Sequence, residues 1–336
     1  MSRPALLAVT EALDLRPGFM VDLGLDEVPV VDAHHHLWDL EGPVAYPWLQ
    51  RTPRIRFRYG DYGRICRSYP PAAYRADAAA HRIVATVHME AECDPGDPVA
   101  ETCWLSHVMA REGFPMAAVA QVRLDREDVA EVLAAQASYG FVRGVRHKPA
   151  AAGNAAEARR GAARSMDDPR WRAGYALLAR HGFAFDLQTP WWHLDAALEL
   201  ARDFPRTTIV LNHAGLPMDR SREGLTAWRR AMERFSAAPN VRVKISGLGT
   251  PHASWPVREN ARIARDVVAI FGVDRCMLGS NFPVDSLCAR LDLILTTFKA
   301  ALRDLPSNER ARVMAGTAEE VYRLQLAADA PAMAAS

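Results

Sequence analysis

Residues 30–40 read VVDAHHHLWDL, three consecutive histidines directly behind a short apolar run. The run starts at Val28 (VPVVD, 28–32), and its length and β-branched content read as a buried strand that ends where the imidazoles begin. Seven more runs of this kind follow, at 83–89 (IVATVHM), 116–122 (MAAVAQV), 142–146 (VRGVR), 183–187 (FAFDL), 208–211 (TIVL), 241–245 (VRVKI) and 275–278 (RCML). Between most of them the residues take helical spacing, as at 128–139, 171–181, 194–204 and 260–271. Parallel strands need crossover helices, so the repeated alternation predicts an α/β fold, a single (β/α)8 TIM barrel.

A chain of 336 residues with 49% hydrophobic content is enough for one such barrel, expected over 28–324. Residues 1–27 are then an N-terminal extension and the Ala-rich residues 325–336 a flexible tail. Two long loops break the repeat, one after the first strand (41–75) and one after the fourth (151–166), and loops of this length serve as lids or binding loops unless they are disordered. Lys and Arg total 41 against 40 Asp and Glu, which leaves no net field to attract nucleic acid or an anionic membrane; a small-molecule partner is expected. The five cysteines are odd in number and form no CxxC pair, as expected of reduced thiols in the cytoplasm. The first apolar stretch is too short for a signal segment, and no run approaches the roughly 20 apolar residues of a membrane span.

Active sites of such barrels lie at the C-terminal ends of the strands, so polar residues there converge in space although they are far apart in sequence. Residues i and i+2 of a strand share a face, which turns His34 and His36 into the barrel mouth and His35 away. An H-x-H pair at a strand end is a good seat for one divalent cation, against the plainer reading of a packed, hydrogen-bonded histidine cluster. His213, in VLNHAGLP, joins them from the sixth strand. The second strand ends in His88, Glu90 and Glu92, the fourth in Arg146, His147 and Lys148, the fifth in Asp186 and Gln188, and the eighth in Ser280, Asn281 and, after FPV, Asp285. Arg146 suits a substrate carboxylate, or equally a salt bridge at the rim. The loop from Arg51 to Arg75 carries seven arginines against Asp61, interleaved with tyrosines; it reads as a recognition loop for an anionic ring, as a solvated basic loop, or as a contact in a homo-oligomer.

Several motifs together resemble a known family. VDAHHHLWD, YPWL at 46–49, GVRHKP at 144–149, VLNHAGLP, NVRVKISGL at 240–248 and FGVDRCMLGSNFPVD at 271–285 are similar to the amidohydrolase-related (amidohydrolase 2) family. The likeness is strongest to its branch with sugar lactonases and pyrone-dicarboxylate lactonase. It implies a metal set of His34, His36 and His213. The family usually places an aspartate after GS on the eighth strand, as metal ligand or water-activating base, where this chain has Asn281. An amide takes up no proton near neutral pH, so another carboxylate must serve, with Asp285 and Glu90 the candidates.

The expectation is a hydrolase, a lactonase opening a cyclic ester that bears carboxylate or hydroxyl groups. Asp285, Glu90 and Asn281 are the catalytic candidates, and Arg146, His147, Gln188, Trp191 and Tyr46 are the substrate-binding ones. One divalent cation, Zn²⁺ first, is expected on the three histidines. The branch also includes lactonases that work without metal, their histidines polarising the carbonyl directly. The rival readings are a non-oxidative decarboxylase of the same superfamily and a barrel that has lost its activity.

Overall fold

The computed structural model describes residues 27–252 and 254–326. Apart from Glu27, Gln325 and Leu326, the expected N-terminal extension and C-terminal tail lie outside the described residues. Eight strands, β1 (Val30–His35), β2 (Ile83–Met89), β3 (Ala117–Gln121), β4 (Val142–Arg146), β5 (Ala184–Leu187), β6 (Ile209–Leu211), β7 (Val241–Ile245) and β8 (Cys276–Leu278), pair in sequential order, and every pairing is parallel. The sheet closes on itself beyond the end of β8: the Asn281 N–H donates to the His34 carbonyl at 2.7 Å and the His36 N–H to the Phe282 carbonyl at 2.7 Å. Asp32 reinforces that seam, its carboxylate accepting from the Ser280 N–H and hydroxyl at 2.8 and 2.6 Å. This is the (β/α)8 barrel expected from the alternating runs.

Helices α1 (Pro71–Ala78), α2 (Ala100–Glu112), α3 (Val129–Ala137), α4 (Pro169–Ala176), α5 (Leu194–Asp203), α6 (Arg222–Phe235), α7 (Val257–Phe271) and α8 (Leu291–Ala301) make the outer layer. Helix α6 shows how the sequence builds one. Ser221 caps it, its hydroxyl accepting from the Gly224 N–H at 3.0 Å, and Leu225, Trp228, Met232 and Phe235 recur at helical spacing and are buried. Each such side chain contributes roughly 1.5–3 kcal/mol by leaving water.

Two apolar cores result, one between strands and helices and one inside the barrel, where Val31, Val87, Val119, Val210 and Met277 pack above Tyr322. The interior also holds a charged pair. Lys244 and Asp186 are wholly buried with Nζ and Oδ1 2.6 Å apart, and Asp186 further accepts from Asn212 Nδ2 at 2.8 Å and from the Tyr322 hydroxyl at 2.9 Å. Two buried charges are tolerated there because each is neutralised and the carboxylate is hydrogen-bonded on all sides.

Two expectations change in detail. The first strand runs through His35 instead of ending at Asp32, because its ladder with β2 continues to the pair His35 and His88. The segment 41–75 is folded: it contains the helical turns Pro47–Gln50 and Gly63–Ile65 and ends in α1, started by Pro71 in its first turn, where a missing N–H costs nothing. The segment 151–166 holds only the short turn Ala155–Glu157, capped by the Asn154 side chain.

Candidate active site

At the mouth, strand alternation sends His34 and His36 to the same side, where His34 meets His213 from the end of β6 and His36 lines the same cavity as His213. The His34 ring centroid lies 4.6 Å from that of His213 and 5.2 Å from that of His36. His35 points the other way, into aromatic packing with Phe114 and Tyr74. His213 gets its place from a run of left-handed backbone, φ +55°, +49°, +69° and +55° at His213, Ala214, Gly215 and Leu216. Gly247 makes room for its ring: a Cβ there would stand 2.3 Å from His213 Nδ1, and φ is +60°. His213 Nδ1 pairs with the Ser246 hydroxyl at 3.0 Å.

All three rings are neutral at pH 7. Burial pushes each pKa well below the ordinary histidine value, and neighbouring cations add to it: Lys244 and Arg146 for His34, Arg146 for His36, Arg58 and Arg146 for His213. His36 Nδ1 lies 2.8 Å from the Met89 carbonyl, which can only accept, so the ring proton sits on Nδ1 and Nε2 is bare.

Asn281 faces that bare nitrogen, its Oδ1 3.4 Å from His36 Nε2. The amide is oriented from behind: Nδ2 donates to Asp285 Oδ1 at 2.7 Å, and the Tyr59 hydroxyl donates to the same oxygen at 2.8 Å. Burial raises the Asp285 pKa to about 6, against the opposing pull of Arg58, 3.9 Å away, and of these two hydrogen bonds. Asp285 is fully buried and does not line the mouth cavity; it holds Asn281, which does.

Glu90 is also committed within the protein. Arg146 Nε binds its Oε1, Arg146 Nη2 donates to its backbone carbonyl at 2.6 Å, and its Oε2 accepts from the Glu92 N–H at 2.7 Å. The last nitrogen of Arg146 donates to Gln188 Oε1 at 3.3 Å. Arg146 therefore braces Glu90 and Gln188 while it lines the cavity, instead of standing as a free fork for a substrate carboxylate.

Three other candidates stand away from the mouth cavity. Tyr46 is buried and donates to Glu101 at 3.2 Å; His147 accepts from the Leu124 N–H and the Trp171 indole at 3.0 and 2.9 Å; Trp191 packs against the outer core. Of the seven loop arginines only Arg58 reaches this cavity; Arg54 pairs with Asp61, Arg64 with the Ser286 carbonyl and Arg75 with Glu112. No local sequence feature marks Arg58 among the seven.

The cavity itself measures ≈ 200 Å³ and is lined by His36, His213, Asn281, Arg58, Arg146 and Lys148, among others. Its wall at Trp48, Glu92, Arg146 and Lys148 is shared with a second cleft of ≈ 300 Å³. Donors dominate its surface, which suits a substrate rich in oxygen.

Residues 31–324, the whole barrel from β1 onward, match the family described as Amidohydrolase. The chain belongs to the amidohydrolase family. Among relatives of this amidohydrolase, an uncharacterized protein y4mH of Sinorhizobium fredii is 36% identical over 300 residues, 89% of this chain and 100% of that one. The L-fucono-1,5-lactonase of Burkholderia ambifaria is 29% identical over 88% of this chain and 95% of its own. An amidohydrolase from Burkholderia multivorans solved with bound HEPES superposes with a TM-score of 0.72 at 25% identity, covering 88% of this chain and 99% of the other. A second crystal form of that protein, with bound Zn, gives 0.72 at 24%.

Among the described residues, no three His, Cys, Asp or Glu side chains are grouped as a ready metal centre. The donor chemistry nevertheless fits a cation. His34 is buried with both ring nitrogens unpartnered, and two lone-pair atoms, His36 Nε2 and Asn281 Oδ1, face each other with no proton to share. Neutral imidazoles and an amide oxygen suit a borderline ion such as Zn²⁺. Among the described residues no helix is long and apolar enough to cross a membrane.

Proposed function

We propose that this amidohydrolase is a lactonase that opens a small cyclic ester by attack of water. The observation that carries the reading is the cluster of three neutral, buried imidazoles, two of which, His36 and His213, line a cavity sized for one ring together with Arg58, Arg146 and Lys148. Such a wall stabilises negative charge that develops on a carbonyl oxygen more than the carbonyl itself, the requirement for acyl transfer. The likeness to L-fucono-1,5-lactonases supports a sugar-type lactone.

Each part of the site has a task. Arg58, Lys148 and Gln188 hold ring oxygens, and Trp48 and Phe57 form the apolar side of the cavity. Asp285 fixes the Asn281 amide so that its oxygen, not its nitrogen, is turned to His36. A divalent cation held by His34, His36 and His213 would supply Lewis-acid polarisation of the carbonyl. The zinc-bound relative supports that assignment.

The test is a panel of 1,4- and 1,5-aldonolactones, L-fucono-1,5-lactone included, followed by proton release in H₂¹⁸O. The expected result is ring opening with one ¹⁸O in the new carboxylate. Release of CO₂ from aromatic carboxylates without ¹⁸O uptake would replace the lactonase by a decarboxylase.

A further inference from the structure

Water must lose a proton as it attacks, and the residue that receives it is not at the position where the family's aspartate is expected. Asn281 takes up no proton near neutral pH, Asp285 lies behind it out of the cavity, and Glu90 is bound on both oxygens. Among the described residues, one carboxylate lines the cavity that contains His36, His213 and Asn281, and it is Glu92. We infer that Glu92, paired with Lys148, is the general base and acid of the reaction, a role that rests on the hydrolytic reading above.

Four observations carry this. Glu92 Oε2 lies 2.7 Å from Lys148 Nζ, and the side chain is half exposed at the mouth. Its backbone is left-handed, φ +56°, an unfavourable conformation for a residue with a side chain and one that collects at functional sites. That turn is pinned by the Glu92 N–H to Glu90 Oε2 bond, and Glu90 is in turn held by Arg146, so a buried ion pair sets the aim of an exposed carboxylate. Burial works to raise its pKa, but Lys148 and Arg146 outweigh this and keep it below the ordinary glutamate value, hence ionised.

The step balances without any further reagent. Glu92 takes a proton from water as the water oxygen bonds to the lactone carbonyl carbon and the π electrons move onto the carbonyl oxygen. The intermediate collapses, the ring C–O bond breaks with its electron pair on the leaving oxygen, and Glu92 returns the proton to that oxygen. The product is the open hydroxy acid.

Kinetics of the full chain decide the matter, with the panel lactones and with p-nitrophenyl acetate as an unrelated ester. Glu92→Gln should lower kcat by about 10²–10⁴-fold with KM within about threefold and the melting temperature unchanged. Formate, seated on Lys148, should restore turnover to Glu92→Ala, which a merely structural role would not allow. A Glu92→Gln enzyme that keeps kcat within about threefold overturns the role of Glu92 and leaves the lactonase reading intact. A loss without formate rescue also overturns it. Wild-type enzyme that cleaves the aryl ester in a Glu92-dependent manner but opens no lactone upholds Glu92 and removes the lactone. Wild-type enzyme that cleaves neither overturns both.

Discussion

Glu101 on α2 offers the sharpest test of the electrostatics beneath the mouth. Its side chain is buried, accepts from the Ala91 N–H with both oxygens at 3.0 and 3.2 Å and from the Tyr46 hydroxyl at 3.2 Å, and lies 3.5 Å from His88 Nε2. Burial raises its pKa from 4.5 to about 7, with these hydrogen bonds and Arg146 pulling the other way. The folded protein thus retains a proton that the unfolded chain gives up at lower pH. Its contribution to stability is fully present below 4.5 and is lost as pH rises through about 7. The pKa gap corresponds to about 3 kcal/mol. Glu101→Gln removes the titration and nearly keeps the shape. Urea unfolding followed by tryptophan fluorescence, at pH values on either side of this window, should show the variant gaining about 3 kcal/mol on wild type from the acid to the alkaline end. Parallel pH profiles would refute the reasoning, because Glu101 would then ionise alike in folded and unfolded chains.

Three further outcomes are expected. Gly247→Ala forces a methyl group against the His213 ring at a left-handed position, so it should cost roughly 1–3 kcal/mol and most of the turnover; an active variant of unchanged stability would show that the ring placement is not essential. Asp186→Asn leaves the Lys244 ammonium buried without its counter-charge and should destabilise by about 3–5 kcal/mol in the same urea assay, whereas a change below about 1 kcal/mol would mean that the pair carries little. Elemental mass spectrometry of the protein purified without added metal should find near one equivalent of a divalent ion, lost in the His34→Ala/His36→Ala double variant; equal content in the two proteins would remove the histidines as its seat.

The eight strands were legible because β-branched runs of four to seven residues between helical segments have few other uses, and every one of them is found within a few residues of its expected place. The pairing of His34 with His36 and the outward turn of His35 follow from strand alternation alone, and a barrel brings His213 to them. Single residues in the sequence could not be sorted further. Glu90 and Glu92 look alike as alternate residues after β2, yet one is locked by Arg146 from β4 and the other opens to the cavity. Tyr46 and His147 share motifs with site residues but spend their polar atoms on Glu101, Leu124 and Trp171.

The sequence by itself thus determined the barrel, its closing order and which strand ends carry chemistry, since these depend on local periodicity and on the shortness of connections. Only the tertiary structure decided which polar atoms remain free. That property depends on partners as much as 245 positions away, as for His36 and Asn281, and on burial that no local pattern records. A carboxylate at the mouth of a barrel becomes a base or a brace according to what its neighbours leave it to bind.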